Sequence, residues 1–282
     1  MKSWGMDGQD PTLEYVHHHR PAGLPGLELL TAHYHGFEFS PHLHEGYCIA
    51  LIEDGAEQFR CRGSEHVAPK GVLAIVNPDE VHTGRRAVES GWSYRVFYPS
   101  PARIQKLAES MEAWGGGTPF FSEAILRDEA LIGPLRNLHR ALMEPVSPLE
   151  QESRWLETMG SLLKRHARGL VFRPSGRAGR DAAARARELL NDRLEGPVSL
   201  AQLAAETGIS AWHLNRLFRQ RYGLPPHAYQ LQMRLAQAKR WLRTTMPIAE
   251  IAARLGFADQ AHLTRLFKRS FGTTPSAYRR MV

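Results

Sequence analysis

The sequence predicts a two-domain α+β protein. An N-terminal β-barrel or jelly roll carrying a helical hairpin is followed by an all-α domain with two helix-turn-helix units. Three observations predict this. Residues 27–99 consist of short apolar or alternating runs between turn signals. The hydrophobic period becomes helical from Pro101 onward. Residues 199–278 are one pattern written twice, which marks a supersecondary unit used twice. With 282 residues the chain is long enough for two separate cores.

The expected strands are Gly36 to Phe39, Tyr47 to Glu53, Gln58 to Arg62, Val72 to Val76 and Trp92 to Tyr98. Asp54-Gly55, Arg62-Gly63, Lys70-Gly71 and Asn77-Pro78-Asp79 supply the turns between them. Close spacing of short strands suits a barrel or jelly roll. After Pro101, the residues Ile104, Leu107, Ala108 and Met111 make one helical face, which Gly115-Gly116-Gly117 is expected to end. Leu131, Leu135, Leu138 and Leu142 follow at 4-3-4 spacing, a short coiled-coil-like stripe. Pro145 to Pro148 is a turn, and Trp155, Leu156, Met159, Leu162 and Leu163 lie on a further helix. The two helices are expected to pair as an antiparallel hairpin. Its apolar stripe can pack on the barrel or join two copies of the chain. Residues 173–180 (RPSGRAGR) read as a mobile linker. A helix over about 181–194 with Ala182, Ala186, Leu189 and Leu190 inward then opens the second domain.

The repeat pairs Leu214, Arg216, Phe218, Gly223, Pro226, Ala228 and Tyr229 with Leu263, Arg265, Phe267, Gly272, Pro275, Ala277 and Tyr278, 49 positions later. Before the turn the offset is 48, as in Ala204 to Ala252 and Gly208 to Gly256, so the second copy carries one extra turn residue. In the first copy Leu200, Leu203 and Ala204 share a helical face, and Ser199 with Gln202 forms a capping box. Gly208 stops that helix, because glycine takes the left-handed conformation cheaply. Ser210 caps a second helix whose inner face is Leu214, Leu217 and Phe218. The second copy repeats this with Ile248, Ile251 and Ala252, then Gly256, then Asp259 as cap, then Leu263, Leu266 and Phe267. Each copy is a helix-turn-helix.

The opposite face of each second helix carries the chemistry. Trp212, Asn215, Arg216 and Arg219 lie together in the first copy. Ala261, Thr264, Arg265 and Lys268 lie together in the second, with Gln260 beside the N-terminus. Arg, Asn and Gln can pair bidentately with base edges in the major groove, which admits one helix. Arg219 and Lys268, further from the helix N-termini, are expected to meet phosphates. The charge distribution agrees. Residues 173–282 hold 19 Lys+Arg against 7 Asp+Glu, whereas residues 1–172 hold 17 against 22, so the net +7 is an acidic half joined to a strongly basic one.

Two cysteines, Cys48 and Cys61, are too few for a disulfide framework and read as buried thiols. No run of 18 apolar residues is present, and the N-terminal residues lack a signal-peptide core, so a cytoplasmic setting is expected. His17-His18-His19 reads as a surface tract or a weak metal binder, with nothing around it that suggests a site.

The second copy, GFADQAHLTRLFKRSFGTTPSAYRR, closely resembles the signature of the AraC/XylS family of bacterial transcription regulators, and Ser210 to Arg216 resembles that family's first recognition helix. The resemblance covers about the last hundred residues. It implies two helix-turn-helix units joined by a long helix, about Pro226 to Thr244, with both recognition helices in successive major-groove segments. Carried over, the base readers are Trp212, Asn215 and Arg216, then Gln260, Thr264 and Arg265. Many relatives have Gln at the position of Asn215. The resemblance further implies an effector-responsive activator, a homodimer and RNA polymerase as partner at promoter DNA. In relatives the N-terminal arm, here about residues 1–30, can cover the effector pocket; Pro21 and Pro25 suit an extended, movable segment.

More loosely, residues 27–99 resemble the family's sensing domain, a small cupin-type barrel. The matching pieces are Pro41-His42-Leu43-His44, Asp54-Gly55, Pro69-Lys70-Gly71 and Asn77 to His82. Metal cupins use an H-x-H pair, a glutamate a few residues on and a later histidine. His42, His44 and His82 match, but Cys48 and Ile49 stand where the glutamate belongs. Three histidines with water can still bind zinc; the reading adopted has them line or brace a pocket, with no cofactor. Effector-contact candidates are His42, His44, Tyr47, Asn77, Glu80, His82, Trp92 and Tyr94. The expected organisation is a sensing and dimerisation domain over 1–172 (barrel about 27–99, helices about 101–169), a linker over 173–180 and a DNA-binding domain over 181–282. Two other function classes remain: a metal-dependent cupin enzyme tethered to DNA, and a non-specific architectural DNA binder.

Overall fold

The computed structural model describes residues 13–114, 118–172 and 179–281. They form two compact units. One takes the described residues within 13–109, 113–143 and 158–171, the other those within 110–112, 144–157 and 172–281.

The first unit is a nine-stranded sheet system. Its strands are β1 (Tyr15–His19), β2 (Leu27–Tyr34), β3 (Phe39–His42), β4 (Cys48–Cys61), β5 (Ser64–Pro69), β6 (Leu73–Val76), β7 (His82–Arg86) and β8 (Trp92–Pro99). Helix α1 (Pro101–Ser110), the short strands β9 (Ala113–Trp114), β10 (Phe120–Phe121) and β11 (Ile125–Leu126), and helices α2 (Glu129–Leu142) and α3 (Pro148–His166) come next, with α3 up to Glu157 counted in the second unit. The two-residue strands β12 (Ala167–Arg168) and β13 (Val171–Phe172) follow. One path of pairing runs β1-β2-β8-β4-β6-β11, while β5 and β7 pair with the far half of β4 and β3 pairs with β7. The strands enclose one inner core of Leu30, Ile52, Phe59, Val76, Trp92 and Val96 with their neighbours. Among the described residues the pairing does not close into a ring.

The expected turn at Asp54-Gly55 is instead a kink inside one 14-residue strand, β4. Its register against β8 shifts between Ile52↔Tyr94 and Asp54↔Ser93, so Glu53 is an extra residue. A bulge of this kind bends a strand and reverses which side chains face inward. Before it Ala50 and Ile52 point into the core, and after it Phe59 and Cys61 do. Gly55 is required here: it sits at φ +66°, and a Cβ would lie 2.0 Å from the Gly91 carbonyl oxygen.

The expected movable arm is, in its described part, folded structure. β1 pairs with β2 from Tyr15↔His33 to His19↔Leu29. The Glu14 carboxylate accepts backbone N–H bonds from His35 (2.9 Å), Gly36 (2.6 Å) and Phe37 (2.9 Å), and Pro21 and Leu24 are buried. His17, His18 and His19 are consecutive on a strand and therefore alternate faces, so they do not converge as a ligand set. Residues 1–12, Gly115-Gly116-Gly117 and most of the expected linker, 173–178, lie outside the described residues.

α2 begins at the cap Asp128, whose Oδ1 accepts from Ala130 N, and its stripe of Leu131, Leu135, Leu138 and Leu142 is buried within the chain. His139, on the same face, donates Nε2–H to the Leu30 carbonyl (3.0 Å) and receives an Arg95 N–H at Nδ1 (3.4 Å). Arg136 and Arg95 both meet Glu53, at 2.8 and 3.0 Å. α2 thus packs on the outer face of β4 and β8, and its stripe is not free to join two copies.

The second unit contains α4 (Gly179–Asp192), α5 (Leu200–Thr207), α6 (Ala211–Tyr222), α7 (Pro226–Trp241), α8 (Ile248–Arg254), α9 (Gln260–Phe271) and α10 (Pro275–Met281). α4, α5 and α6 pack together with Ala186, Leu190, Leu203, Leu214 and Phe218 buried. α7, α8 and α9 enclose a second core of Leu235, Leu242, Ile251, Leu255, Leu263 and Phe267. α7 touches both. Two arginines tie helix ends to this frame. Arg234 on α7 donates Nε to Leu194 O (3.0 Å) and a terminal nitrogen to Gly196 O (2.6 Å), at the chain leaving α4. Arg279 on α10 does the same to Leu242 O (3.3 Å) and Met246 O (2.6 Å) after α7. Carbonyls at helix ends lack intrahelical partners, and these guanidinium groups supply them.

Candidate nucleic-acid interface and effector pocket

The two helix-turn-helix units are built alike. Ser199 and Gln202 form the reciprocal capping box on α5, and Gly208 ends it at φ +69°. Ser210 Oγ accepts from His213 N to start α6, and Asp259 Oδ1 accepts from His262 N to start α9. Gly223 and Gly272 end these helices in the left-handed conformation, with N–H bonds to Arg219 O and Lys268 O. Leu214 and Phe218 are fully buried, as are Leu263 and Phe267.

On the outer faces the structure sorts the expected residues. Arg216, Arg219, Gln260, Arg265 and Lys268 are exposed, and Trp212 is half-buried. Arg219 is ion-paired with Glu157 of the same unit. Asn215 departs from expectation: it is 5% exposed, and its Oδ1 has no hydrogen-bond partner among the described residues. Its repeat counterpart Thr264 is half-buried and donates its hydroxyl to Gln260 O (2.8 Å), back to its own helix. The spacing of a helix face identifies neighbours, but burial is set by what packs against that face, which the spacing alone does not contain.

The sheet unit holds a cavity of about 840 Å³, lined among others by Tyr34, Phe39, Cys48, Glu57, Tyr94 and Tyr98. Of the expected contacts, His42, His44, His82 and Tyr94 line it. The other four do not, and each has a structural task. Tyr47 is buried and donates its hydroxyl to the Pro119 carbonyl. Asn77 bridges to the Phe121 backbone, accepting from its N–H (2.9 Å) and donating to its carbonyl (3.0 Å). Glu80 is bound by Arg62 through Nε (2.6 Å) and a terminal nitrogen (2.9 Å), which with burial opposing holds its carboxyl below the ordinary range. Trp92 is a core ring, stacked on Tyr94 at 6.2 Å.

The three histidines come together. One ring nitrogen of each lies within 4.8 Å of the others. Nδ1 of His42 bonds Ser40 O (2.8 Å) and Nδ1 of His82 bonds Glu80 O (3.1 Å), leaving both Nε2 atoms free of backbone. Burial, with the neighbouring His82 and His42, pushes His44 down to about 4, and burial also lowers His82. Three imidazoles, two of them oriented through the other ring nitrogen, are a donor set that fits a zinc-type ion. In that case His42, His44 and His82 would hold the ion, which would supply Lewis acidity. The glutamate of metal cupins has no equivalent, since Cys48 lines the cavity in its place and Glu80 is taken by Arg62.

Sequence reasoning missed Tyr34, Phe39, Cys48, Glu57 and Tyr98. Only the bulge in β4 brings Glu57 inside, and no composition signal announces it.

This combination, a sheet domain with an internal cavity and a helical domain with paired helix-turn-helix units, defines a ligand-responsive DNA-binding regulator. The AraC-like ligand binding domain family matches residues 24–159, and a helix-turn-helix domain family matches residues 203–281. The chain belongs to the AraC/XylS family of transcription regulators. It is 29% identical to the uncharacterised HTH-type transcriptional regulator YbfI of Bacillus subtilis, over 79% of this chain and 81% of that one. It is 26% identical to the arabinose operon regulatory protein of Escherichia coli, over 86% of this chain and 82% of that one. Among solved structures, the DNA-binding domain of AdpA in complex with a target DNA is 30% identical, with TM-score 0.34, covering 36% of this chain and 91% of that one. Among the described residues no helix is long and apolar enough to cross a membrane.

Proposed function

We propose that this chain is a cytoplasmic, homodimeric, effector-responsive activator that reads two adjacent major-groove segments of promoter DNA and meets RNA polymerase there. The carrying observation is that α6 and α9, each started by a side-chain cap and ended by a left-handed glycine, present cationic side chains from matched positions, Arg216 with Arg265 and Arg219 with Lys268. Trp212, Arg216, Gln260 and Arg265 read bases, with Asn215 and Thr264 reaching them if their present contacts release. Arg219 and Lys268 take phosphates; for Arg219 this means exchanging Glu157 for DNA. No residue is assigned a catalytic role, in keeping with relatives that are transcription regulators. The organisation is a sensing domain over 1–172, a linker over 173–180 and a DNA-binding domain over 181–282. The cavity receives a small effector, whose leverage equals its difference in affinity between the DNA-competent and incompetent states.

Genome-wide occupancy of the tagged protein tests this. A bipartite motif with halves about one helical turn, 34 Å, apart supports the reading. Diffuse binding without a motif refutes it in favour of non-specific DNA binding.

A further inference from the structure

The geometry points to an effector that carries a cationic nitrogen, a primary amine or a substituted ammonium group, with Glu57 as its anchor inside the aromatic cavity of the sheet unit. The inference rests on the reading of that cavity as the effector site and adds the chemical class.

Several polar groups around the cavity already have a task. His42 and His82 are tied to backbone carbonyls. Glu28, towards the rim, is bound by Arg20 (2.8 Å) and His18 (2.9 Å).

Glu57 differs from these groups. Its carboxylate has no hydrogen bond or ion pair among the described residues, and it shares the cavity wall with Tyr34, Cys48, Tyr94 and Tyr98. Arg86 stands opposite it in the β4–β7 ladder but sends its guanidinium to His35 O (3.2 Å). Burial pushes the Glu57 carboxyl up to about 8.

The site is also shaped for this group. A Cβ added at Gly84 would lie 2.8 Å from Glu57 Oε1, so the absence of a side chain there makes the carboxylate's seat. Phe39 lies across from Gly84, and rings crowd the same wall: Tyr34 to Phe39 at 5.1 Å and Tyr34 to Tyr94 at 6.0 Å.

An unpaired carboxyl beside a cavity is costly unless something compensates it. Aromatic faces attract a desolvated cation, and the carboxylate supplies the full charge. An anionic ligand would meet Glu57 only as a protonated acid and gain no charge partner from it. A neutral polyol would leave the carboxyl without a charge partner. A cation satisfies both features at once, and its arrival ionises Glu57, which releases one proton near neutral pH.

Calorimetry on the full chain without DNA tests this with matched probes: benzylamine against benzyl alcohol, isopentylamine against isopentanol, and choline against 3,3-dimethylbutanol. At least one cation is expected to bind ten-fold or more tightly than its neutral partner. Its binding heat at pH 7 should depend on buffer ionisation enthalpy as proton release requires. Glu57→Gln, the isostere of the protonated acid, should abolish the preference. Equal affinity within all three pairs overturns the inference, as does a preference that survives Glu57→Gln or binding without proton release in the unaltered chain. Because DNA is absent, loss of motif-specific occupancy would sink the regulatory reading and leave this result standing, and the reverse also holds.

Discussion

Gly208 and Gly256 occupy the same turn position in the two repeats, at φ +69° and +68°. Alanine at either must adopt the left-handed conformation, at about 1–2 kcal/mol. Their surroundings differ. Around Gly208 nothing lies within 4 Å of an added Cβ, whereas at Gly256 the Arg234 guanidinium carbon and both terminal nitrogens lie at 3.0–3.1 Å. Arg234 is 6% exposed, and its hydrogen bonds to Leu194 O and Gly196 O fix it from the other side. To make room it must weaken one of those bonds, each worth about 1.5–3 kcal/mol for a charged donor. Gly208→Ala should therefore cost about 1–2 kcal/mol and Gly256→Ala about 2.5–5 kcal/mol. Urea unfolding of the full chain, followed by circular dichroism of the helical transition, measures both. In an Arg234→Ala background the excess at Gly256 should vanish. Equal costs in the unaltered chain, or an excess that persists without Arg234, would refute the coupling.

Arg216→Ala and Arg265→Ala should each cost about 1–3 kcal/mol and relax specificity in one half of the DNA site, as read by binding to single-position operator variants. Equal losses on every sequence would reassign them to phosphates. His139 is buried neutral, pushed down to about 3 by burial with Arg95 adding to it. The unfolded chain takes up a proton below about 6.5 that the folded chain refuses until about 3. Its contribution is thus complete above pH 6.5 and is lost as pH falls toward 3, so His139→Gln should flatten the decline of the melting temperature in that window. Cobalt(II) added to the full chain should give a tetrahedral visible band lost in His82→Ala and retained when His17, His18 and His19 are all alanine; the opposite pattern would place binding on the N-terminal tract.

The helical half was legible because its signals are local. Ser199 with Gln202, Ser210, Asp259 and the paired glycines each specify a cap within four residues, and the structure realises them. β4, β6 and β8 were legible as apolar runs, but the pairing partners and the strands β1, β2, β5 and β7 were not, and the run expected at 36–39 meets β3 only at Phe39. β1 and β5 carry Tyr-Val-His-His-His and Ser-Glu-His-Val-Ala-Pro, which read as polar tracts until the neighbouring strand is known. The pocket was half legible. Histidines in an H-x-H pattern announce themselves, but Asn77 and Glu80 look equally suited to a ligand and are spent on Phe121 and Arg62. For the DNA face the spacing identified the stripe, and the covering of Asn215 was beyond it, since that depends on contacts distant in sequence.

The extra residue in β4 has a meaning for how such a pocket changes over generations. Because side chains alternate along a strand, one inserted or deleted residue at Glu53 exchanges the entire inner and outer sets of the following segment. With it, Glu57 and Phe59 face the cavity while Gln58 and Arg60 face out. Without it, the cavity would receive an amide and a guanidinium in place of a carboxylate and a ring. A single codon gained or lost at this kink can therefore invert the charge preference of the pocket in one event, where substitution would need several, and the helices that read DNA need not change at all.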